Sequence, residues 1–389
     1  MFLPALLIRD LGFWGYVVFA VPNVVGAAAM GWVLKSPESS RRLIEDHRQA
    51  AVLFSQVTLL FHLYWFAWLG KWALDHTDWS VWVWFLLLAI PIATQFILRK
   101  TRDPKKSQLY AMGTWLISSL LLLTLALTDS ISPTASETIQ QVPFSLDVVW
   151  LLPASIFGFA FCPYLDLTFH HARLACETQP QSRVAFGLGF GVFFFSMIIL
   201  TVLYAGAIGI LTTPGSNVLP SIVKWVGILL AFHIGYQFLF TWSVHVAQLQ
   251  IHQQDKKGPY GWFHVIAAGI AILGLTIVGQ SPDLLAGPAK NLQMSWGEIV
   301  YRAFLTFYGL IFPTYVYLNI WNVRGRCLRT RTSRSTLVTL IAIALAAPFF
   351  FMGFFVRDER YIPAGVAILI LAKLFTGSPD RPAPLTQPA

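Results

Sequence analysis

Long apolar runs alternate with short polar connections along nearly the whole chain. Most of these runs reach the roughly 20 residues that an α-helix needs to cross the hydrocarbon core of a bilayer. The pattern therefore predicts an all-α protein, a polytopic transmembrane helical bundle of about eleven spans. The predicted spans cover residues 11–34, 50–74, 79–98, 109–128, 148–168, 184–211, 220–248, 261–279, 297–321, 336–355 and 361–376.

Basic residues are distributed unevenly between the two sides of this predicted bundle. Loops on one side hold 20 of the 27 Lys and Arg residues. Because basic loops are retained in the cytoplasm, we expect the amino terminus outside and the carboxyl terminus inside. The same alternation supports the number of spans, since one helix more or fewer would scramble it. The sequence thus predicts a multi-pass protein of the cell (inner) membrane, with the lipid bilayer as its main partner.

No connection between the predicted spans is long enough to hold a second domain. We therefore expect residues 1–376 to form a single transmembrane helical domain. Residues 377–389 contain four prolines and few apolar side chains, a composition typical of disorder. We expect them to form a disordered cytoplasmic tail.

Composition excludes several classes of protein. Charged residues make up 12% of the chain, against about 25% in soluble domains, and the mean hydropathy is +0.63. A net charge of +9 would suit nucleic acid, but the basic residues are scattered over short loops, so we expect no such partner. Cys162, Cys176 and Cys327 form no CxxC pair and predict neither a disulfide framework nor a zinc finger. We expect no cofactor.

The first span contains Pro22 and Asn23 near its middle, followed by small residues that include Ala27 and Gly31. Proline removes a backbone hydrogen bond and disturbs the preceding turn. The small-xxx-small spacing of Ala27 and Gly31 favours close helix packing. Two interpretations are open: a kinked and tightly packed helix, or a discontinuous helix that lines a cavity.

The fifth span carries the strongest indication of a site. It contains Gly158, Pro163 and Asp166 within nine residues, which predicts a break in the helix. Irregular backbone at membrane depth survives where it is buried in protein or lines a water-filled cavity. The candidate binding residues here are Phe161, Cys162, Pro163, Tyr164 and Asp166. In the alternative interpretation, Asp166 lies at the cytoplasmic interface and caps the helix that holds His170 and His171.

Other polar groups at depth are His62 in the second span and His233 with Gln237 in the seventh. His233 and Gln237 are four residues apart and share one helix face. They are secondary candidates for solute or ion binding, and the alternative is a hydrogen bond between helices. Glu298 and Arg302 have the same spacing at the outer end of the ninth span, where we expect an interfacial ion pair.

Enzyme motifs are not evident. Asp166 and His170 have a spacing that would let them share a metal ion, but two ligands from one segment do not make a site. The sequence contains neither HExxH nor GxSxG. We therefore predict no catalytic residues and no metal, and an intramembrane metal-dependent enzyme is the less favoured alternative.

The stretch from Phe13 through Pro22 and Asn23 to Gly31 resembles the early helices of sodium:solute symporter-like proteins. These belong to the amino acid–polyamine–organocation superfamily, which has a five-plus-five inverted repeat. The resemblance implies that the first, fifth, sixth and seventh spans are core helices 2, 6, 7 and 8. The predicted break around Pro163 then falls in core helix 6, which is unwound at the substrate site in that family.

Core helix 1 has no counterpart in this alignment, because the first span already matches core helix 2. In the family, core helix 1 supplies half of the substrate site and carbonyls of the sodium site. The seventh span offers His233, Gln237, Thr241 and Ser243 without an adjacent hydroxyl pair, so the coupling ion is left open. A late start codon, loss of transport, or a homo-oligomer or partner that fills the gap would each explain the difference.

The resemblance implies a secondary-transporter-like protein that takes up or exchanges a small-molecule solute near Phe161–Tyr164. Asp166 would carry an ion or a proton. A non-transporting membrane sensor or scaffold is the alternative.

Overall fold

A computed structural model describes residues 3–76, 104–127, 143–202, 224–253, 260–277, 292, 294–321 and 332–376. Every regular element in these ranges is a helix, and they contain no strand. The predicted span 79–98 and the tail 377–389 lie outside the described residues.

The first half of the described chain forms six α-helices. Their bounds are Leu3–Val33 (α1), Pro37–His76 (α2), Pro104–Leu127 (α3), Asp147–Phe161 (α4), Leu167–Leu174 (α5) and Gln179–Leu188 (α6). A short 3-10 helix, Cys162–Leu165, separates α4 from α5. Helix α6 passes through a π-helical turn, Gly189–Phe194, and continues to Val202.

The second half also forms six α-helices. Their bounds are Lys224–Gln253 (α7), Tyr260–Ile277 (α8), Trp296–Thr306 (α9), Phe312–Asn319 (α10), Ser333–Phe351 (α11) and Ile362–Ala372 (α12). A π turn, Phe307–Ile311, joins α9 to α10, and another, Met352–Val356, extends α11. Short 3-10 helices, Glu359–Tyr361 and Lys373–Phe375, flank α12.

Over its described residues, the protein is an all-helical membrane protein. Six stretches of the described chain are long and apolar enough to cross a bilayer: Leu3–Val33, Pro37–Lys71, Asp147–Leu165, Gln179–Val202, Trp296–Asn319 and Ser333–Val356. Two shorter apolar helical stretches, Gln108–Thr124 and Phe263–Ile277, occur where further spans were predicted. The structure therefore supports six of the roughly eleven predicted spans.

Helix α1 departs from regular geometry at Gly12, where φ is 65° and ψ is −158°. A residue without Cβ adopts this left-handed conformation at low cost. Pro22 and Asn23 lie further along, within continuous helix. The irregular backbone of α1 is thus ten residues before the proline.

Short polar side chains define where several helices begin. Ser295 accepts a hydrogen bond from the amide of Glu298 at the start of α9. At the start of α11, Thr332 and Ser335 form a reciprocal capping box. Such caps satisfy amide groups that have no partner within the helix.

Close glycine contacts bring α1 against two other helices. A Cβ on Gly26 would lie 2.1 Å from the carbonyl oxygen of Phe159 in α4, and one on Gly31 would lie 2.7 Å from Cβ of Phe186 in α6. The predicted close packing of this part of α1 therefore depends on Gly26 as well as Gly31. Gly191 has open space around it among the described residues, whereas Gly187 faces the Trp32 ring at 3.6 Å.

Candidate functional site

The chain changes conformation at the end of α4, where the sequence analysis placed a break. Backbone geometry passes from α-helix to the 3-10 helix Cys162–Leu165, and Asp166 is extended with φ −78° and ψ 107°. The Asp166 carboxylate accepts hydrogen bonds from the Thr168 amide at 2.8 Å and the Thr168 hydroxyl at 2.7 Å. Asp166 is therefore the N-cap of α5, as in the second of the two interpretations above.

Backbone carbonyls at this break already have partners. The oxygen of Pro163 accepts from the Asp166 amide at 3.2 Å, and that of Tyr164 accepts from Nε2 of His170 at 2.9 Å. The other ring nitrogen of His170 accepts the Ser40 hydroxyl at 2.6 Å. His170 is thus a fully bonded residue that joins α5 to α2.

A second distinctive feature is a polar stripe along α7. Polar side chains recur every three or four residues and so lie on one face of the helix: His233, Gln237, Thr241, His245, Gln248 and His252. Gln237 donates to Ser118 of α3 at 3.1 Å, and His245 Nδ1 lies 3.3 Å from Oγ of Ser55 in α2. The stripe therefore faces other helices along part of its length.

Sequence reasoning identified only the first half of this stripe. His233 and Gln237 were named as candidates, whereas His245, Gln248 and His252 were missed. Extending the same spacing of three to four residues along the span would have found them, because all six occupy one helix face.

Several hydrogen bonds converge on Thr58 of helix α2. His62 Nδ1 lies 2.7 Å from the backbone oxygen of Thr58. The hydroxyl of Tyr308, from the π turn after α9, donates to Oγ1 of Thr58 at 2.9 Å. Thr58 in turn donates to the carbonyl oxygen of Phe54 at 2.9 Å. Three residues of α2 and one of the π turn are thereby joined at one place.

His62 and Tyr308 meet at Thr58, where α2 packs against the π turn after α9. Each side chain is only partly buried. We call the place where these side chains meet the central hollow, and define it by His62 and Tyr308, with the rings of Phe54 and Phe61 next to Tyr308 at 5.7 Å between centroids.

The structure brings part of the predicted site to this hollow. Cys162 donates to the backbone oxygen of Tyr308 at 3.2 Å. His245 is close enough to interact electrostatically with both His62 and Asp166. Pro163 and Tyr164 are buried. His233 lies twelve residues before His245 on α7, about 18 Å away at 1.5 Å rise per residue, so it does not join this group.

Phe161 packs into an aromatic cluster instead of lining an open cavity. Its ring packs 5.1 Å from Phe157 and 5.4 Å from Tyr317, measured between centroids. Next to it, Gly158 allows the backbone to approach closely, since a Cβ there would lie 2.9 Å from the oxygen of Tyr308. Gly158 is within α4, and the change of backbone conformation follows four residues later.

An ionic cluster of five side chains ties three segments together at the opposite end of the molecule from Asp166. Arg9 contacts Glu298 through two nitrogens, at 2.8 and 2.9 Å. Arg302 contacts Glu298 at 2.8 Å and Asp10 at 2.5 Å. Arg357 lies 3.4 Å from Asp10. The predicted pair of Glu298 and Arg302 is present, but it is part of this larger ionic cluster.

All four carboxylate oxygens of the ionic cluster are used by arginines. The exposed fraction is 0% for Glu298 and 8% for Arg302, so removing one charge would leave another buried without compensation. This arrangement is suited to holding helices together. We assign no ligand to it.

The described residues contain no group of three or more His, Cys, Asp and Glu side chains that could hold a metal ion. Comparisons of the chain with protein-family models, with curated proteins and with solved structures found no match. The fold therefore defines the class, a polytopic α-helical membrane protein, and the function has to be argued from the central hollow.

Proposed function

We propose that this protein is a secondary-transporter-like membrane protein that moves a small organic solute through the central hollow. The observation that carries the proposal is the position of His62 and Tyr308, which meet at Thr58 between two helical segments and are each only partly buried. Polar and ionisable groups at membrane depth cost free energy and commonly mark a substrate or ion pathway.

The polar stripe of α7 provides a path of polar side chains on either side of the hollow. His245 is close enough to interact electrostatically with both His62 and Asp166, and Asp166 is the candidate ion or proton carrier. His233 and Gln237 extend the stripe toward the other end of α7. Because the carbonyls of Pro163 and Tyr164 are bonded within the protein, side chains are the binding groups in this proposal.

The inverted-repeat arrangement implied by the sequence resemblance is also part of the proposal. In it, α1, α4, α6 and α7 correspond to core helices 2, 6, 7 and 8. The change of backbone conformation between α4 and α5 supports this correspondence, because it occurs in the segment equivalent to core helix 6. Uptake measured under an imposed proton gradient and under an imposed sodium gradient identifies the coupling ion.

Cysteine accessibility tests the hollow directly. In a background with the native cysteines replaced by serine, we expect His62→Cys to react with a hydrophilic methanethiosulfonate reagent, because water reaches the hollow. Leu120→Cys is the matched control, since Leu120 is 54% exposed on the apolar surface of α3, where lipid excludes the reagent. An unreactive thiol in His62→Cys would show that the hollow is closed to water and would contradict the proposal.

Uptake into proteoliposomes tests transport itself. We expect gradient-driven accumulation of at least one solute from a panel of small amines, amides, polyols and carboxylates, and loss of accumulation in Asp166→Asn. If the His62→Cys variant is reactive and no member of the panel accumulates under either gradient, the transport proposal fails and a non-transporting sensor is the better description.

A further inference from the structure

An open groove runs along the apolar surface between α1 and the continuation of α6. Residues 13–21 of α1 form one wall and residues 195–202 form the other, and the groove has a volume of about 490 Å³. Phe13, Val21 and Ile199 line it and are 44%, 51% and 48% exposed, so the groove opens outward from the protein. Because both walls belong to stretches that are apolar enough to cross a bilayer, it opens to lipid.

The length of the groove matches one leaflet of a bilayer. After the irregular geometry at Gly12, α1 runs as continuous helix from Phe13 to Val33, which is about 30 Å at 1.5 Å per residue. The hydrocarbon core is also about 30 Å thick, so Phe13 lies at one boundary of the core. From Phe13 to Val21 the groove extends about 12 Å, against about 15 Å for half of the core. In the predicted orientation this half is the outer leaflet.

Among the described lining residues, the hydroxyl of Tyr16 is the one polar side-chain group. Tyr16 is 6% exposed, and its hydroxyl is buried without a hydrogen-bond partner in the part of the chain that the structure describes. Its ring stacks on Phe13, 6.2 Å away between centroids. Side chains on a helix point toward its amino end, which here is the boundary of the hydrocarbon core. Tyr16 thus brings an unused donor close to that boundary.

We propose that this groove binds an acyl chain of an ester-linked phospholipid, whose ester carbonyl accepts a hydrogen bond from the Tyr16 hydroxyl. Ester carbonyls join the chains to the headgroup, so they lie at the boundary of the hydrocarbon core. A buried hydroxyl without a partner costs free energy, and the carbonyl offsets this cost. Water is a poor occupant, because it needs two to four polar partners and the described walls offer one side-chain group.

Native mass spectrometry of the full chain, released from detergent micelles, counts and identifies the lipids that stay bound. The protein is incubated with an equimolar mixture of dipalmitoylphosphatidylcholine and its dihexadecyl ether analogue, which has the same headgroup and chain length but no ester carbonyls. We expect the parent protein to retain the ester lipid about fivefold more than the ether lipid, the effect of one hydrogen bond.

Two variants separate the hydroxyl from the groove. Tyr16→Phe keeps the ring and should abolish the preference for the ester lipid, whereas Tyr361→Phe, at a tyrosine that is 41% exposed, should keep it. Val21→Trp fills the inner end of the groove, and we expect it to retain one phospholipid fewer than the parent protein. Leu345→Trp is its matched control, since Leu345 is 58% exposed on α11 and does not line the groove.

Equal retention of the two lipids by the parent protein, or retention of neither, overturns the inference. An unchanged preference in Tyr16→Phe or an unchanged lipid count in Val21→Trp does the same. Preferential retention of cholesterol, added at the same concentration, would overturn it in favour of a sterol. A dimer of the parent protein that Val21→Trp converts to a monomer would identify a second copy of the chain as the occupant instead of a lipid. If Val21→Trp does not fold, the comparison of Tyr16→Phe with the parent protein decides.

Discussion

At the scale of the residue, several basic side chains act as caps of helix carboxyl ends. Arg173, which is 1% exposed, donates to the backbone oxygens of Leu34, Lys35 and Cys176 and to the side chain of Gln179. The carboxyl end of a helix carries partial negative charge and carbonyls without partners. A buried guanidinium satisfies both, so Arg173 fixes the end of α1 against α5.

Replacement of Arg173 with Gln should lower the free energy of unfolding by about 3 kcal/mol, because it leaves several buried carbonyls without donors. Denaturant-induced unfolding in lipid micelles measures this change. Arg183→Gln, at an exposed position of α6, should change stability by less than about 0.5 kcal/mol. Equal effects of the two variants would contradict a structural role for Arg173.

Glu359 gives the protein a pH-dependent stability at its periphery. Burial raises the pKa of this carboxyl to about 7, and the nearby carboxylates of Asp147 and Asp10 act in the same direction. Because the folded state then holds a proton that the unfolded state loses above pH about 4.5, stability should fall as the pH rises from about 4.5 to 7 and level off above that range.

The Glu359→Gln variant removes this titration. Unfolding curves measured from pH 4.5 to 8 should show a loss of about 2 kcal/mol in the parent protein relative to the variant, after allowance for partial screening by solvent. Parallel stability profiles for the two proteins would show that Glu359 ionises normally.

At the scale of the element, close approach of helix backbones decides where α1 packs. Gly26 lies opposite Phe159 of α4, and any side chain at position 26 would overlap the backbone of α4. That backbone cannot shift without disturbing the hydrogen bonds within α4. Phe159 lies two residues before the end of α4, so this contact holds α1 against the part of α4 that precedes the change of backbone conformation.

We expect Gly26→Ala to destabilise the protein by about 3 kcal/mol through this overlap. Gly113→Ala in α3 is the matched control, since no atom among the described residues lies within 4 Å of a Cβ at Gly113. There alanine should be neutral or stabilise by up to about 1 kcal/mol through its helix propensity. Thermal unfolding of both variants in the same detergent decides between these outcomes.

At the scale of the whole molecule, helix ends meet on two opposite faces. On one face, basic side chains bond to the carboxyl ends of four helical segments: Arg173 to Leu34, Arg48 to His252, Lys373 to Trp321 and Arg334 to Phe375. On the other face, the ionic cluster joins the start of α1 to α9 and to the segment after α11. The first face is the one that the sequence predicts to be cytoplasmic.

This orientation can be tested with single cysteines in the serine background. Glu38 and Arg360 have exposed side chains, 56% and 70% accessible, on the two faces. In intact cells, a membrane-impermeant thiol reagent should label Arg360→Cys, and Glu38→Cys should need permeabilised cells. The reverse labelling would place the amino terminus inside.

Loss of one acid from the ionic cluster should destabilise the connection between its three segments. Glu298→Gln leaves Arg9 and Arg302 with a single remaining carboxylate, and we expect a loss of about 3–5 kcal/mol. Glu38→Gln removes an acid from a surface pair with Arg41 and Arg42 and should cost less than about 1 kcal/mol. The two variants are compared by unfolding at constant ionic strength.

The sequence alone determined the class of the protein and the location of its main irregularity. Apolar runs of about 20 residues report helix formation in lipid directly, because a spanning segment must satisfy its backbone within itself. The predicted change of conformation around Pro163 likewise depends on local geometry. His62, Asp166 and the pair Glu298–Arg302 were recognised from the sequence because polar groups are conspicuous in apolar spans.

Only the tertiary structure decided which of these groups meet. Thr58 and Tyr308 are ordinary residues in sequence, and their pairing with His62 depends on how α2 packs against the turn after α9. Arg9 and Glu298 are 289 positions apart and form one contact. Hydrophobic pattern specifies that a helix crosses the membrane but carries little information on its neighbours, because lipid and protein interior are equally apolar. Partners are chosen by close packing and by hydrogen bonds, which exist only in the assembled bundle.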